Sequence, residues 1–222
     1  MQQRQVIAAL LAGGTGSRMR SLEPKQFLMV EGRMVIERSV EAFEQHEGVD
    51  HIIIVSHPDH VERVRSIVAS NGWNKVRAVV AGGKERYHSS LAAIEACRQW
   101  GDDAFLILHD AARPFVSRDI ISRVVAHKDV EALGVGVPVT DTLWQVSDGV
   151  VAEVPPRSPF YQAQTPQAFR LSIIRQAYAR AMQDPSLQAT DDIGVVRNYT
   201  DVPVTVVAGE PENKKITYPS DL

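Results

Sequence analysis

The chain has 222 residues, of which 44% are hydrophobic and 23% charged, and its formal net charge is −3 at pH 7. These values are typical of a soluble globular domain and exclude disordered, collagen-like and disulfide-rich classes. A chain so close to neutral lacks the positive field that sequence-independent nucleic-acid binding requires. The longest apolar run, at 6–12, is too short to span a membrane. Since the one cysteine, Cys97, cannot form an internal disulfide, we expect a cytoplasmic location.

Apolar runs typical of strands alternate with helical periodicity through the first 139 residues. In chain order the pattern predicts a strand at 6–11, a helix at 35–45, a strand at 52–56, a helix at 61–71, a strand at 76–81, a helix at 89–100, a strand at 105–108, a helix at 119–127 capped by Asp119, and a strand at 133–139. This alternation favours a mostly parallel sheet with helices on both faces. The length fits one domain covering 1–222.

The alternation stops after residue 139, where two short apolar runs flank an Asp-Gly turn. Residues 143–146 and 150–154 predict a β-hairpin around Asp148 and Gly149. A hairpin of this size does not fold alone, so it needs a surface to pack on, and a partner subunit is one candidate. A helix at 171–182 and a strand at 204–207 follow, and Asp191-Asp192 is typical of a helix cap between them.

Glycines and basic residues follow the first predicted strand. In an open α/β sheet, ligands bind beyond the carboxyl ends of the strands. The run at 13–18 is GGTGSR, and Lys25 comes shortly after it. Glycines let backbone N–H groups approach an anion closely, but the run lacks both the Walker lysine and the third glycine of a dinucleotide-binding loop, where Met19 stands. Alone, the run fits a tight strand-to-helix turn equally well.

Similar residues follow three later strands. The sequence has GGKER at 82–86 with Ser89 beyond it, HDAARP at 109–114, and NKKIT at 213–217. Asp110 is suited to hold Mg²⁺ or a substrate hydroxyl, and Arg113 to clamp a phosphate, although an Asp–Arg pair also fastens loops. Strand ends rich in Gly, Arg and Lys favour phosphoryl or nucleotidyl transfer, which depends on positioning and charge neutralisation. The sequence contains neither a nucleophile elbow nor a Cys–His pairing, so it offers no nucleophile for a hydrolase.

Taken together, these motifs resemble a known family. The run LLAGGTGSRM at 10–19, followed by PKQF at 24–27, is similar to the signature of sugar-phosphate nucleotidyltransferases. With HDAARP at 109–114, DT at 141–142, QTPQ at 164–167 and KIT at 215–217, it resembles the 2-C-methyl-D-erythritol 4-phosphate cytidylyltransferase family from residue 6 to 222. The resemblance implies a nucleotide-diphospho-sugar transferase fold: an α/β, Rossmann-like, doubly wound, mostly parallel sheet with a protruding β-arm at about 140–160, through which a homodimer forms.

The resemblance also implies a reaction and a role for individual residues. CTP and methylerythritol 4-phosphate would give the CDP-alcohol and pyrophosphate, with Mg²⁺ as the metal and Asp110 as its candidate ligand. The residues that stabilise the transferred phosphate would be Arg18, Lys25 and Lys215. Those that bind CTP would be Leu11, Ala12, Gly13, Gly14, Thr15, Gly16, Ser17, Gly83, Lys84, Ser89 and Ala111. Those that bind the polyol phosphate would be Asp110, Arg113, Thr142, Arg157, Thr165 and Thr190, with Thr142 and Arg157 reaching across from the arm of the other subunit.

Two alternatives stay open at the level of sequence. Leu11, where the family often has Pro, and YQAQTP at 161–166 also resemble ribitol-5-phosphate cytidylyltransferases. Ala111-Ala112 and PVTDT at 138–142 favour methylerythritol phosphate instead. The other alternative is a non-catalytic nucleotide-binding module, against which the basic residues and Asp110 argue.

Overall fold

The computed structural model describes residues 4–14 and 23–222. The strands in this part of the chain are β1 (Val6–Ala12), β2 (Met29–Val30), β3 (Arg33–Met34), β4 (His51–Ser56), β5 (Val76–Ala81), β6 (Phe105–Asp110), β7 (Ala132–Pro138), β8 (Gln145–Ser147), β9 (Val150–Glu153), β10 (Tyr161–Arg170) and β11 (Thr205–Ala208). The α-helices are α1 (Val35–Glu44), α2 (Val61–Asn71), α3 (Arg86–Ala96), α4 (Arg118–Ala126), α5 (Leu171–Ala181) and α6 (Asp192–Tyr199). None of these helices is long and apolar enough to cross a membrane.

Seven of the strands form one sheet in the order β5-β4-β1-β6-β10-β7-β11. All neighbours are parallel except β10, which runs antiparallel between β6 and β7. From β1 the chain winds outward through β4 to β5, and then returns to place β6 on the other side of β1. The prediction of an α/β, doubly wound, mostly parallel sheet is therefore confirmed. The strand order reverses between β1 and β6, which is where such sheets bind ligands.

The central strands are buried because helices cover both faces of the sheet. Every residue of β1 is buried, and its side chains alternate between two apolar clusters. Val6, Ala8 and Leu10 join the cluster that contains Phe43 of α1. Their neighbours in sequence join a second cluster on the opposite face, which contains Tyr178 of α5. Packing from both sides fixes the carboxyl ends of β1 and β6 rigidly beside each other.

The structure corrects several predicted elements. The sequence analysis did not predict strand β10, since it interpreted residues 161–166 only as a motif. The strand contains Pro166, and its register shifts between Gln164 and Gln167. The hairpin of β2 and β3 was also missed. Predicted strand 105–108 extends through Asp110, and the helix predicted at 89–100 begins at Arg86 and ends at residue 96. The N-cap of α4 is Ser117, whose hydroxyl accepts the backbone N–H three residues later, so the prediction of an Asp119 cap is wrong.

The predicted hairpin exists as β8 and β9. Asp148 and Gly149 have φ values of 51° and 79°, the conformation of a tight type I′ turn. Every residue of both strands is exposed, and the flanking Trp144 and Val154 are 66% and 57% exposed. The hairpin thus has no apolar core of its own within the described chain.

Candidate active site

A cleft of about 270 Å³ opens beyond the carboxyl ends of β1 and β6, at the reversal of strand order. Its described lining is Leu11, Ala12, Gly13, Gly14, Lys25, Gln26, Gly83, Lys84, Glu85, Arg86, Ser89, Asp110, Ala111, Ala112, Lys215 and Thr217. Eleven of these are residues predicted from the sequence: Leu11, Ala12, Gly13, Gly14, Lys25, Gly83, Lys84, Ser89, Asp110, Ala111 and Lys215. The cleft therefore gathers the strand-end residues of β1, β5 and β6 with two lysines from distant parts of the chain.

Two glycines let the turns after β1 and β5 close around one hydroxyl. A Cβ atom on Gly13 would lie 2.9 Å from Ser89 Oγ, and one on Gly82 would lie 2.5 Å from the same atom. Ser89, in the first turns of α3, is only 4% exposed. Neither turn can carry a side chain without moving Ser89, so the glycines fix the wall of the cleft.

Lys25 and Lys215 come from opposite ends of the sequence and line the same cleft as the glycine turn after β1. A Cβ atom on Gly14 would be 3.8 Å from Lys25 Cε, and Lys25 Nζ lies 3.5 Å from the carbonyl oxygen of Ile216. Ile216 is fully buried against Val30 and the start of α1, which anchors the segment that carries Lys215. Two lysines thus share one cleft with the turn whose backbone N–H groups are suited to an anion.

Asp110, the last residue of β6, is held between two cations. Lys215 Nζ lies 2.6 Å from its Oδ2 and Arg86 Nε 3.3 Å from its Oδ1. Burial alone would raise the pKa of Asp110, but Arg86 and Lys215 outweigh it and hold that pKa well below its usual range. Asp110 is therefore an ionised carboxylate that orients both cations.

Arg86 is the main lining residue that the sequence prediction omitted. It links Asp110 to Asp192, whose Oδ2 is 2.7 Å from Arg86 Nη1 and which is fully buried. Tyr178 donates its hydroxyl hydrogen to Asp192 at 2.7 Å. Although burial opposes the charge on Arg86, the two carboxylates raise its pKa above the usual value. The available signal was the second base of the GGKER run, which begins α3 at the edge of the cleft.

Two predicted substrate residues lie behind Asp110 and do not line the cleft. Thr165 is 4% exposed, and its hydroxyl oxygen accepts the backbone N–H of Asp110 at 3.0 Å. Arg113 donates to the carbonyl oxygen of Asn213 at 2.7 Å and to that of Ala163 at 3.4 Å. In this chain both side chains fasten loops, and Arg113 does so through carbonyl oxygens rather than through the Asp–Arg pair that was the alternative at the level of sequence.

The remaining predicted residues are not brought to the cleft by this chain. Thr142 and Arg157 are exposed at the two ends of the hairpin arm, where Arg157 donates to the carbonyl oxygen of Thr140. Thr190 is exposed before the N-cap of α6. Thr15, Gly16, Ser17 and Arg18 lie outside the described residues.

The described side chains do not fit a metal ion bound directly by Asp110. No group of three or more His, Cys, Asp or Glu side chains in residues 4–14 and 23–222 is arranged to hold a metal. Both carboxylate oxygens of Asp110 already contact cationic side chains, and Mg²⁺ would have to displace them.

A doubly wound sheet with glycine turns and convergent lysines at its switch point defines a nucleotidyltransferase-like α/β protein. The family model described as "IspD: 2-C-methyl-D-erythritol 4-phosphate cytidylyltransferase" matches residues 6–222, and the chain belongs to this family. The predicted family is thus confirmed.

Known proteins resemble the chain over nearly its whole length. A 2-C-methyl-D-erythritol 4-phosphate cytidylyltransferase from Thermobifida fusca is 46% identical over 225 residues, covering 98% of this chain and 90% of the relative. A bifunctional ribulose 5-phosphate reductase/CDP-ribitol pyrophosphorylase from Haemophilus influenzae is 37% identical, covering 100% of this chain and 48% of the relative. The crystal structure of 4-diphosphocytidyl-2C-methyl-D-erythritol synthase from Anaerococcus prevotii superposes with a TM-score of 0.84 at 27% identity, covering 98% of this chain and 92% of that one.

Proposed function

We propose that this protein transfers CMP from CTP to 2-C-methyl-D-erythritol 4-phosphate, giving 4-diphosphocytidyl-2-C-methyl-D-erythritol and pyrophosphate in non-mevalonate isoprenoid biosynthesis. The observation that carries the proposal is that Lys25 and Lys215 line one cleft with the glycine turn after β1. The family membership and the Thermobifida fusca relative support the same reaction.

The reaction requires charge stabilisation rather than a general base. An oxygen of the polyol phosphate forms a bond to the α-phosphorus of CTP. The bond from that phosphorus to the oxygen leading to the β-phosphate breaks, and pyrophosphate leaves with the electron pair. The nucleophile is already an anion, so Lys25 and Lys215 act by stabilising the negative charge that develops around the α-phosphate. Arg18 would add a third positive charge.

The nucleotide end of the site is assigned to the turns after β1 and β5. Backbone N–H groups of the glycine turn at 12–17 would contact the triphosphate, while Gly83, Lys84 and Ser89 would contact the cytidine. Ala111, which is 1% exposed at the end of β6, would lie against the ribose. The support for this assignment is that the described members of the set line one cleft.

The polyol-phosphate end is assigned partly to a second subunit. Asp110 would receive the polyol, with Arg113, Thr165 and Thr190 nearby. Thr142 and Arg157 would come from the arm of a partner, and the chain would act as a single domain with this arm exchanged in a homodimer. Two observations support exchange: the strands of the arm are exposed along their whole length, and its two predicted substrate residues are exposed away from the cleft.

Mg²⁺ and the cellular location are proposed on narrower grounds. We assign the metal to the triphosphate of CTP, since Mg²⁺ is commonly held by substrate phosphates with few protein ligands. A cytoplasmic location is proposed because the only cysteine, Cys97, is buried and unpaired.

A pair of neighbouring lysines offers a matched test of the catalytic assignment. Lys215→Ala removes a charge that contacts the α-phosphate, and the expected loss of turnover is on the order of 100- to 1,000-fold. Lys214→Ala removes an adjacent, exposed lysine that does not line the cleft, so its turnover should stay near wild type. Equal effects of the two substitutions on pyrophosphate release would contradict the assignment.

Ribitol 5-phosphate is the second candidate acceptor. The Haemophilus influenzae relative, a CDP-ribitol pyrophosphorylase in part, matches the whole chain at 37% identity. The two acceptors carry the same nucleophile, so both fit the chemistry derived for the lysines. Comparing pyrophosphate release with each acceptor decides between them.

A further inference from the structure

Asn213 is buried in a loop whose neighbouring residues are exposed. The loop follows β11 and leads to Lys215. Asn213 is 0% exposed, whereas Glu212 and Lys214 on either side of it are exposed. Burial of an amide costs free energy unless the group is hydrogen-bonded, so its partners indicate why an amide stands there.

The side chain of Asn213 fastens the loop to β10. Its Nδ2 donates to the carbonyl oxygen of Thr165 at 2.9 Å and to Gln164 Oε1 at 3.2 Å. Gln164 in turn bonds both backbone groups of Glu210, donating to its oxygen at 2.8 Å and accepting from its nitrogen at 3.3 Å. Since acceptors face Nδ2 on both sides, the orientation of the Asn213 amide is fixed by its surroundings.

The same segment is tied to the loop after β6 on both sides of Lys215. The carbonyl oxygen of Asn213 accepts from Arg113 Nη1 at 2.7 Å. One residue beyond Lys215, the backbone nitrogen of Ile216 donates to the carbonyl oxygen of Ala112 at 2.8 Å. The lysine therefore projects from a segment that is anchored before and after it.

We propose that Asn213 is a positioning residue that holds Lys215 in register at the cleft. Stability alone does not explain the amide, because Ile216 shows that this loop can bury an apolar side chain. Moreover, Asn213 Oδ1 is buried without a hydrogen-bond partner among the described residues, a cost that an apolar side chain would avoid. An amide instead gives direction, through two donors aimed at two acceptors. The inference rests on the proposed catalytic role of Lys215.

The test is a double-mutant cycle in the full-length protein. Asn213→Ala is measured alone and together with Lys215→Ala, by kcat and KM for pyrophosphate release. Val64→Ala, a truncation in the buried face of α2 and outside the cleft lining, serves as the control for general destabilisation. Misplacement of a catalytic group by about 1 Å can cost about 100-fold, so Asn213→Ala should lower kcat by about 10- to 100-fold, with KM for CTP changed less than about threefold. In the Lys215→Ala background the same substitution should cost less than about threefold.

Three results would overturn the proposal. The first is that Asn213→Ala lowers kcat by the same factor in the wild-type and Lys215→Ala backgrounds. The second is that Val64→Ala lowers kcat as much as Asn213→Ala does. The third is that Asn213→Ala leaves amide hydrogen exchange at 213–217 unchanged. The exchange measurement does not depend on activity, so it tests whether Asn213 anchors the loop even if the wild-type protein releases no pyrophosphate. An absence of pyrophosphate release would refute the proposed function rather than the role of Asn213. Should Asn213→Ala fail to fold, Asn213→Ser, which keeps one donor, carries the same comparisons, with an intermediate loss expected.

Discussion

The buried histidine beneath the cleft predicts a specific loss of stability on mild acidification. His109 lies in β6 and is 0% exposed. Its Nε2 is 3.2 Å from the carbonyl oxygen of Arg113, which can only accept, so Nε2 carries the hydrogen. Its Nδ1 then accepts from the hydroxyl of Thr165 at 3.1 Å, and that hydroxyl oxygen accepts the N–H of Asp110. This chain of hydrogen bonds requires a neutral imidazole.

The expected magnitude follows from the pKa in the two states. Burial lowers the pKa of His109 from 6.5 to about 4 in the folded protein. Between these values the unfolded chain binds more protons than the folded one, so the free energy of unfolding falls as the pH falls. The contribution lost between pH 7.0 and pH 5.0 is about 2 kcal/mol, and the loss reaches about 3 kcal/mol below pH 4.

The assay is urea unfolding at pH 7.0 and pH 5.0 and at one fixed protein concentration, for the wild type and His109→Gln. Glutamine cannot be protonated in this range. The contributions of the other titrating groups to the change in unfolding free energy therefore cancel when the change in the variant is subtracted from that in the wild type. The wild type should lose about 2 kcal/mol more than the variant on going to pH 5.0. Equal losses in the two proteins would refute the argument from a buried neutral imidazole.

Two further predictions concern the cleft and the arm. Gly82→Ala places a Cβ 2.5 Å from Ser89 Oγ and should weaken CTP binding in calorimetry. Gly136→Ala, outside the cleft lining, adds a Cβ with ordinary contacts of 3.4–3.5 Å and should leave CTP binding unchanged; equal affinities in both variants would contradict the tight wall. Inactive Arg157→Ala and inactive Lys25→Ala subunits, once mixed and exchanged, should regain part of the activity if each site takes Arg157 from a partner. An exchanged mixture that stays inactive would count against a shared site.

The fold was predictable where one physical signal dominates, and was missed where signals conflict. The continuous apolar run at 6–12 and the Asp148-Gly149 turn each specify a single local structure, and both appear as expected. Strand β10 was missed because Pro166 and three glutamines within Tyr161–Arg170 suppress the strand pattern, which burial between β6 and β7 overrides. Tertiary context decides such segments.

The candidate site divides in the same way. Residues directly after strands, such as Gly13 and Lys84, could be placed because strand ends meet at one edge of the sheet. Arg86 and Asn213 could not be placed in this way, because their partners lie more than 40 residues away along the chain. Arg86 pairs with Asp192, and Asn213 donates to Gln164 and to the residue after it. Long-range polar contacts leave little periodic signal in a sequence.

The most direct test of the central claim is pyrophosphate release from CTP and Mg²⁺ with methylerythritol 4-phosphate or ribitol 5-phosphate as acceptor. We predict release with methylerythritol 4-phosphate and loss of that release in Lys215→Ala but not in Lys214→Ala. Release with ribitol 5-phosphate alone would contradict the assigned acceptor. If folded protein that binds CTP released no pyrophosphate with either acceptor, that result would contradict the claim that the convergent lysines form a catalytic site.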